Sequence, residues 1–250
     1  MSMKNLSAVI ITFNEERNIV RCIDSLMDIT DEIVVVDSFS TDSTVELCIN
    51  KGVKLIQHKF EGHIQQKNFA LKQAKNDWVI SLDADEALSE ELKKSIIEIL
   101  ENPTEKGYKF NRLTNYCGKW VHYCGWYPDT KLRLVDRNFA SWGGVNPHDK
   151  LELQGGLKEG FLKGNLLHYS YYTKEDHYKQ IEYFGKIAAV EAFKNGRGVN
   201  KIMVFSKVFA QFIKSYFLKL GVLDGITGLK ISYRSAYSTY RKYQILNQLK

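Results

Sequence analysis

Four times within roughly the first 85 residues, a short β-rich apolar run is followed by a stretch of helical periodicity, and this alternation constrains the fold most strongly. Ser7 to Thr12 leads into a helix carrying Ile19, Cys22, Ile23 and Leu26 at i, i+3, i+4, i+7 spacing, with Asn14 as the expected N-cap. Glu32 to Val36 precedes a helix with Val45, Cys48 and Ile49, and Val53 to Gln57 leads through Gly62 into a helix from about His63 to Ala74. The fourth run, Trp78 to Leu82, reads as a strand buried on both faces. Parallel strands need crossover connections that helices supply, so the expectation is an α/β fold: a Rossmann-like, mostly parallel sheet flanked by helices. Right-handed crossovers deliver successive strands' carboxyl ends to one edge.

That edge is where open α/β sheets bind ligands. The polar residues expected there are Asn14 and Glu15 after the first strand, Asp37 after the second, and Asp83 and Asp85 after the fourth. In extended chain, residues i and i+2 point the same way, so Asp83 and Asp85 would project together. Two carboxylates so close repel unless a cation sits between them or solvent screens them. Taken alone, D-x-D leaves open a solvated turn whose acids cap the helix beginning near Ser89. No G-x-G-x-x-G follows the first strand and no G-x-x-x-x-G-K-[ST] occurs, which disfavours a dinucleotide site and a P-loop.

After Ser89, Leu92, Ile96, Ile99 and Leu100 mark an amphipathic helix ended by Asn102-Pro103. From Gly107 to Tyr169 short strands and turns are expected, with Trp120, Trp126 and Trp142 spaced among glycines. This region reads either as the acceptor side of a carbohydrate enzyme or as a second core layer. From Thr173 onward the chain reads as helical. Its segment Asn200 to Leu220 places Phe205, Val208, Phe209, Phe212, Tyr216 and Leu220 on one face, with Lys207 and Lys214 opposite. Its lysines interrupt it too often to span a bilayer, but it suits either a membrane interface or ordinary packing on the domain.

Charge is distributed unevenly. The net charge is +6, yet residues 197–250 hold ten Lys or Arg against the single acid Asp224, a balance of +9 that leaves −3 for the remainder. An anionic surface is therefore the expected partner of the tail, and a nucleic acid is not expected. Four cysteines are too few for a disulfide framework, and the first apolar run is too short for a signal peptide, so a cytoplasmic protein is expected. Cys117, His122 and Cys124 lack a fourth ligand nearby, which makes zinc improbable.

Ile10-Ile11-Thr12-Phe13-Asn14-Glu15, Val35-Val36-Asp37-Ser38 through Thr44, Gln66-Lys67-Asn68-Phe69-Ala70 and Ser81-Leu82-Asp83-Ala84-Asp85-Glu86 together resemble the family 2 glycosyltransferases. Among them the closest likeness is to bacterial enzymes that add glucose or a related hexose to the lipopolysaccharide inner core. The likeness continues more loosely through Trp126 to Asp129, Leu132-Arg133-Leu134, Pro147-His148-Asp149 and His168-Tyr169-Ser170. It implies the glycosyltransferase A fold, with a catalytic domain at 1–170 (donor half 1–102, acceptor half 103–170) and a helical extension at 171–250. It also implies a UDP-sugar donor and a glycan or glycolipid acceptor. Thr12, Asn14 and Glu15 would hold the nucleoside, Asp37 the uracil edge or ribose, and Lys67 and Asn68 would lie by the diphosphate. Asp83 would meet the donor, and Asp85 with His168 would bind Mg or Mn. Asp149 is the expected general base, with His148 orienting the acceptor or sharing the proton; relatives commonly carry His-Glu here, and Asp reaches one methylene less far. Two other readings stay open at this point: a nucleotidyltransferase on a similar sheet, which the acidic Asn14-Glu15-Glu16 disfavours, and a non-catalytic nucleotide-sensing module that docks on membranes.

Overall fold

A computed structural model describes the chain apart from residues 1–4, 146, 147, 197 and 250 and the side chain of His148. It divides into two compact units, Met1–Arg112 with Asp129–His168, and Leu113–Pro128 with Tyr169–Lys250.

The first unit begins with the expected alternation: β1 (Leu6–Thr12), α1 (Ile19–Met27), β2 (Glu32–Asp37), α2 (Thr44–Asn50), β3 (Lys54–Gln57), α3 (His63–Gln73) and β4 (Trp78–Asp83). These strands lie in the order β3-β2-β1-β4, all parallel, with Thr12 opposite Asp37 and Ile11 opposite Asp83. Side-chain alternation splits β1 between two cores. Leu6, Ala8 and Ile10 pack with Ile19, Cys22, Ile23 and Leu26 of α1, whereas Val9 joins Val34, Val36 and Val79 against Ala70 and Leu71 of α3. Each fully buried Leu or Ile contributes roughly 1.5–3 kcal/mol, so the two faces together anchor the strand ends that carry the polar residues.

Beyond β4 the chain adds β5 (Glu86–Leu88), α4 (Glu90–Glu101), β6 (Gly107–Tyr116), β7 (Lys119–Val121), β8 (Asp129–Asp136), β9 (Ala140–Val145), β10 (His148–Leu153) and β11 (Gly160–Tyr171). Ser89 caps α4, accepting from the Leu92 N–H at 3.3 Å. The sheet continues β4-β8-β6-β11-β5, and the β4–β8, β8–β6 and β11–β5 pairings are antiparallel, so the sheet is parallel in its first half and mixed beyond it. β9 and β10 form a separate hairpin with Asp149 opposite Gly144.

Two local expectations are corrected. Asn14 does not cap α1: the helix begins at Ile19 behind Asn18, and Asn14 stands at φ 55° with its carboxamide oxygen accepting from the Thr41 N–H at 2.8 Å. Asparagine tolerates left-handed backbone because its short polar side chain bonds locally. The chain is also not extended through Asp85, since β4 ends at Asp83 and Ala84-Asp85 form a turn into β5.

The second unit is largely helical, with α5 (Lys174–Lys194), α6 (Lys201–Ile213) and α7 (Gly225–Gln248). Thr173 and Asp176 form a capping box on α5, and Asn200 caps α6 by accepting from Ile202 and Met203. Ala189, Ala192, Tyr243, Ile245 and Leu246 make a core against Met203 and Val204. Here the expected single aromatic stripe is corrected: Phe205 and Phe209 are exposed while Val208, Phe212 and Tyr216 are half-buried. The α-helix stops at Ile213, and the following residues form a π turn over Lys214–Leu218, so 3.6-residue periodicity does not run through Leu220. Among the described residues, no helix is long and apolar enough to cross a membrane.

Candidate active site

The residues gathered at the carboxyl ends of β1, β2 and β4 form a chain of alternating charge. Lys67, on α3 and 5% exposed, donates to Asp149 Oδ2 at 2.8 Å and lies 2.9 Å from Asp83 Oδ1. Asp83 also meets Arg133 of β8 at 3.2 Å, and Arg133 reaches Glu86 Oε1 at 3.3 Å. Arg112 of β6 pairs with that same Glu86 oxygen at 3.2 Å and with Asp129 at 2.8 Å. Arg112 and Asp129 are direct cross-strand partners, so register alone brings them together. Beneath the network, the Trp142 ring lies 4.3 Å from Lys67 Nζ and 5.0 Å from the Arg133 guanidinium carbon.

Burial pushes the Asp83 carboxyl up, but the charges of Lys67 and Arg133 and the Lys67 hydrogen bond outweigh it and hold Asp83 well below the usual carboxylate range. The same contest leaves Asp85 lowered: burial raises it, and the charge and hydrogen bond of His168 lower it further. Both carboxylates are thus anions at neutral pH. Asp85 Oδ2 is 3.0 Å from His168 Nε2, a contact set by the sheet, because His168 pairs in register with Glu86, the residue after Asp85. Asp83 and Asp85 therefore lean toward different partners.

The Asp37 carboxylate, fully buried, accepts from the Ser40 N–H at 3.0 Å and from the Ser40 hydroxyl. Beside it, Thr12 Oγ1 is buried with no hydrogen-bond partner among the described residues. Glu15 donates its N–H to Thr44 Oγ1 at 2.8 Å, and its carboxylate accepts from Asn18 at 2.7 Å. Burial pushes the Glu15 carboxyl up to about 7, opposed by the Asn18 hydrogen bond and reinforced by Asp85, Asp42 and Asp83. Asn68 is committed at both ends of its amide to the Trp142 backbone, at 2.8 and 2.9 Å, which fastens α3 to β9. Asn146 and Pro147 lie outside the described residues; His148 is described only as strand backbone.

Because native Glu15 keeps its proton to a higher pH than the unfolded chain does, it destabilises the fold progressively as pH rises from about 4.5 to about 7. Glu15→Gln retains an acceptor for Asn18 without the charge. In chelator-treated protein, urea unfolding should show the variant gaining roughly 1–3 kcal/mol on wild type between about pH 5 and about pH 8. A parallel pH dependence of the two proteins would show that Glu15 ionises as freely as in the unfolded chain.

The sequence reading quoted Glu86, 1% exposed, and Arg133 within motifs but gave neither of them, nor Arg112, a place in the expected donor or metal site. Glu86 also accepts from the Asp83 N–H at 3.1 Å, so it positions the strand end. The available signal was Arg133 inside Leu132-Arg133-Leu134, a charge at a strand position otherwise apolar on both sides. Among the described residues, no group of three or more His, Cys, Asp or Glu side chains forms a metal cage. The Asp85–His168 pair nevertheless fits a hard divalent cation that takes one or two protein ligands and completes its shell with phosphate oxygens and water.

Fold and site define an α/β enzyme whose acidic and basic groups meet at the carboxyl edge of a parallel sheet. The family model for Glycosyl transferase family 2 matches residues 7–124. An uncharacterized glycosyltransferase of Rickettsia typhi is 30% identical over 257 residues, covering 99% of this chain and 88% of the relative. The lipopolysaccharide core biosynthesis glycosyltransferase LpsC of Rhizobium meliloti is 26% identical, covering 96% of this chain and 93% of its own. The crystal structure of S. aureus TarS is similar at 18% identity and a TM-score of 0.48, over 97% of this chain and 55% of that one. The chain belongs to glycosyltransferase family 2 and is a glycosyltransferase. That membership decides against the nucleotidyltransferase and the non-catalytic module.

Proposed function

We propose that this enzyme moves a hexose, glucose or a close relative, from a UDP-sugar to a glycan or glycolipid acceptor of the lipopolysaccharide core type, with inversion. The observation that carries this reading is the pairing of Asp85 with His168 beside that of Asp83 with Asp149 through Lys67. The first is suited to a cation on the diphosphate and the second to a base across the sugar. The whole-length similarity to LpsC supports the choice of acceptor class.

In this reading Thr12 and Asp37 receive the nucleoside, the orphaned Thr12 hydroxyl gaining a partner, and Lys67 attracts the diphosphate. The chemistry a Mg or Mn ion would supply at Asp85 and His168 is neutralisation of charge on the departing diphosphate. Asp149 accepts the proton of the acceptor hydroxyl as that oxygen bonds to the anomeric carbon. The bond from that carbon to the phosphate oxygen breaks, and UDP leaves with the electron pair. Titration calorimetry with UDP-glucose, UDP-galactose and UDP, each with and without Mn, tests donor, sugar and cation together. Absence of metal-dependent UDP binding would remove the reading.

The reading includes work at the cytoplasmic face of a membrane. The second unit exposes Ile202 at 82%, Phe205 at 74% and Ile226 at 74%, alongside the +9 balance of residues 197–250. Such side chains gain free energy by entering an interface, and each basic residue near anionic lipid adds about 1 kcal/mol. Full-length protein should sediment with vesicles containing phosphatidylglycerol at low salt and be released at high salt. Phe205→Ser with Ile226→Ser should leave most of it in the supernatant. Equal recovery of wild type with anionic and neutral vesicles would count against a membrane role.

A further inference from the structure

The helical unit holds a pocket of about 420 Å³, within the range of small-molecule sites, that the donor reading leaves unused. One wall is aromatic: Trp126 and Tyr171 lie with ring centroids 5.4 Å apart at 31°. The other walls come from α5, α6 and α7, where Ile181 and Phe184 stand among uncharged polar side chains. His177 meets the Tyr116 hydroxyl through Nδ1 at 3.3 Å, leaving Nε2 available, and burial pushes its imidazole down to about 4, so it is neutral in the cell. Gln180 accepts from the Tyr171 hydroxyl, which leaves its amide N–H groups to donate. The side chains of Gln211 and Ser238 have no hydrogen-bond partner among the described residues.

We propose that this pocket binds a neutral hexose ring. A sugar presents an apolar C–H face that an aromatic ring covers, and a rim of hydroxyls that donate and accept. The pocket offers both, with neutral groups able to donate, accept or do either. It lacks the cation that a phosphate or carboxylate would need to offset its desolvation, which separates it from the lysine- and arginine-rich donor site. The sugar could be a residue of a glycan acceptor or a hexose presented singly, as on the donor. The choice between these sources rests on the proposed function; the pocket's chemistry does not.

The test is NMR on full-length protein, following the Trp126 indole N–H during titration with methyl β-glucoside, cellobiose and UDP-glucose. A saturable shift with the two neutral sugars is expected. It should weaken at least tenfold in Ser238→Trp, which fills the pocket, and in Gln180→Ala, which removes a donor without adding bulk. UDP-glucose affinity should be unchanged in both variants where the pocket takes a glycan residue, and lowered in both where it takes the donor's sugar. Tighter binding of cellobiose than of the monosaccharide assigns the pocket to an extended glycan, whereas a Trp126 shift with UDP-glucose that the glucoside competes away assigns it to the donor's sugar. No saturable shift of Trp126 with any of the three, or undiminished affinity in both folded variants, overturns the proposal. A neutral-sugar shift without UDP-glucose binding would uphold the pocket while refuting the donor reading.

Discussion

Asp85→Ala is expected to abolish sugar transfer and the metal-dependent part of UDP binding while leaving the fold intact. The carboxylate sits in the turn between β4 and β5, 22% exposed, outside either apolar core. Its identified partner is His168 at 3.0 Å, and in the variant the imidazole, itself 14% exposed, can turn to water. The stability loss should therefore stay near the ordinary hydrogen-bond value of about 1 kcal/mol. Catalysis has no such refuge. Loss of charge stabilisation on a departing diphosphate removes several kcal/mol from the transition state, a factor of at least about a thousand in rate. Transfer should be assayed at saturating donor, with calorimetry in Mn and in chelator alongside. Near-normal turnover would sink the assignment of Asp85; equal loss of UDP affinity with and without metal would move it from the cation to the nucleotide.

The second large effect concerns Asp149. Its carboxylate is bonded to Lys67, which simultaneously holds Asp83, so the expected base and the expected donor contact share one ammonium. An arriving diphosphate offers that lysine a denser anion, so donor binding should draw Lys67 from Asp149. Asp149→Asn should lower turnover by roughly a hundredfold or more with donor affinity near wild type, the signature of an interaction made in the transition state. The Asn oxygen still accepts from Lys67, so the network should stay assembled. Loss of donor affinity with little change in turnover would put Asp149 in the donor site instead. The base role would then pass to Asp129, paired with Arg112 and Lys131, or to Glu86, paired with Arg112 and Arg133.

Local pattern carried the first hundred or so residues a long way. Four β-rich runs and the periodicities between them were enough for β1 to β4, α1 to α4 and the edge on which Thr12, Asp37 and Asp83 meet, because strand and helix spacing are nearest-neighbour properties and the crossover rule needs no long-range information. Ordered motifs with their spacing were enough for the family. Pairing between distant segments was beyond reach. No local signal says that β8 would run antiparallel beside β4 and bring Arg133 under Asp83, nor that β11 would pair with β5 and set His168 against Asp85. Two arginines from strands distant in sequence make Glu86 a buried anchor. The helical unit shows the same division: amphipathic periodicity marked its helices, but which side of α6 packs and which stays exposed depended on a π turn and on the neighbours α5 and α7, whose contacts exist only once the chain has closed on itself.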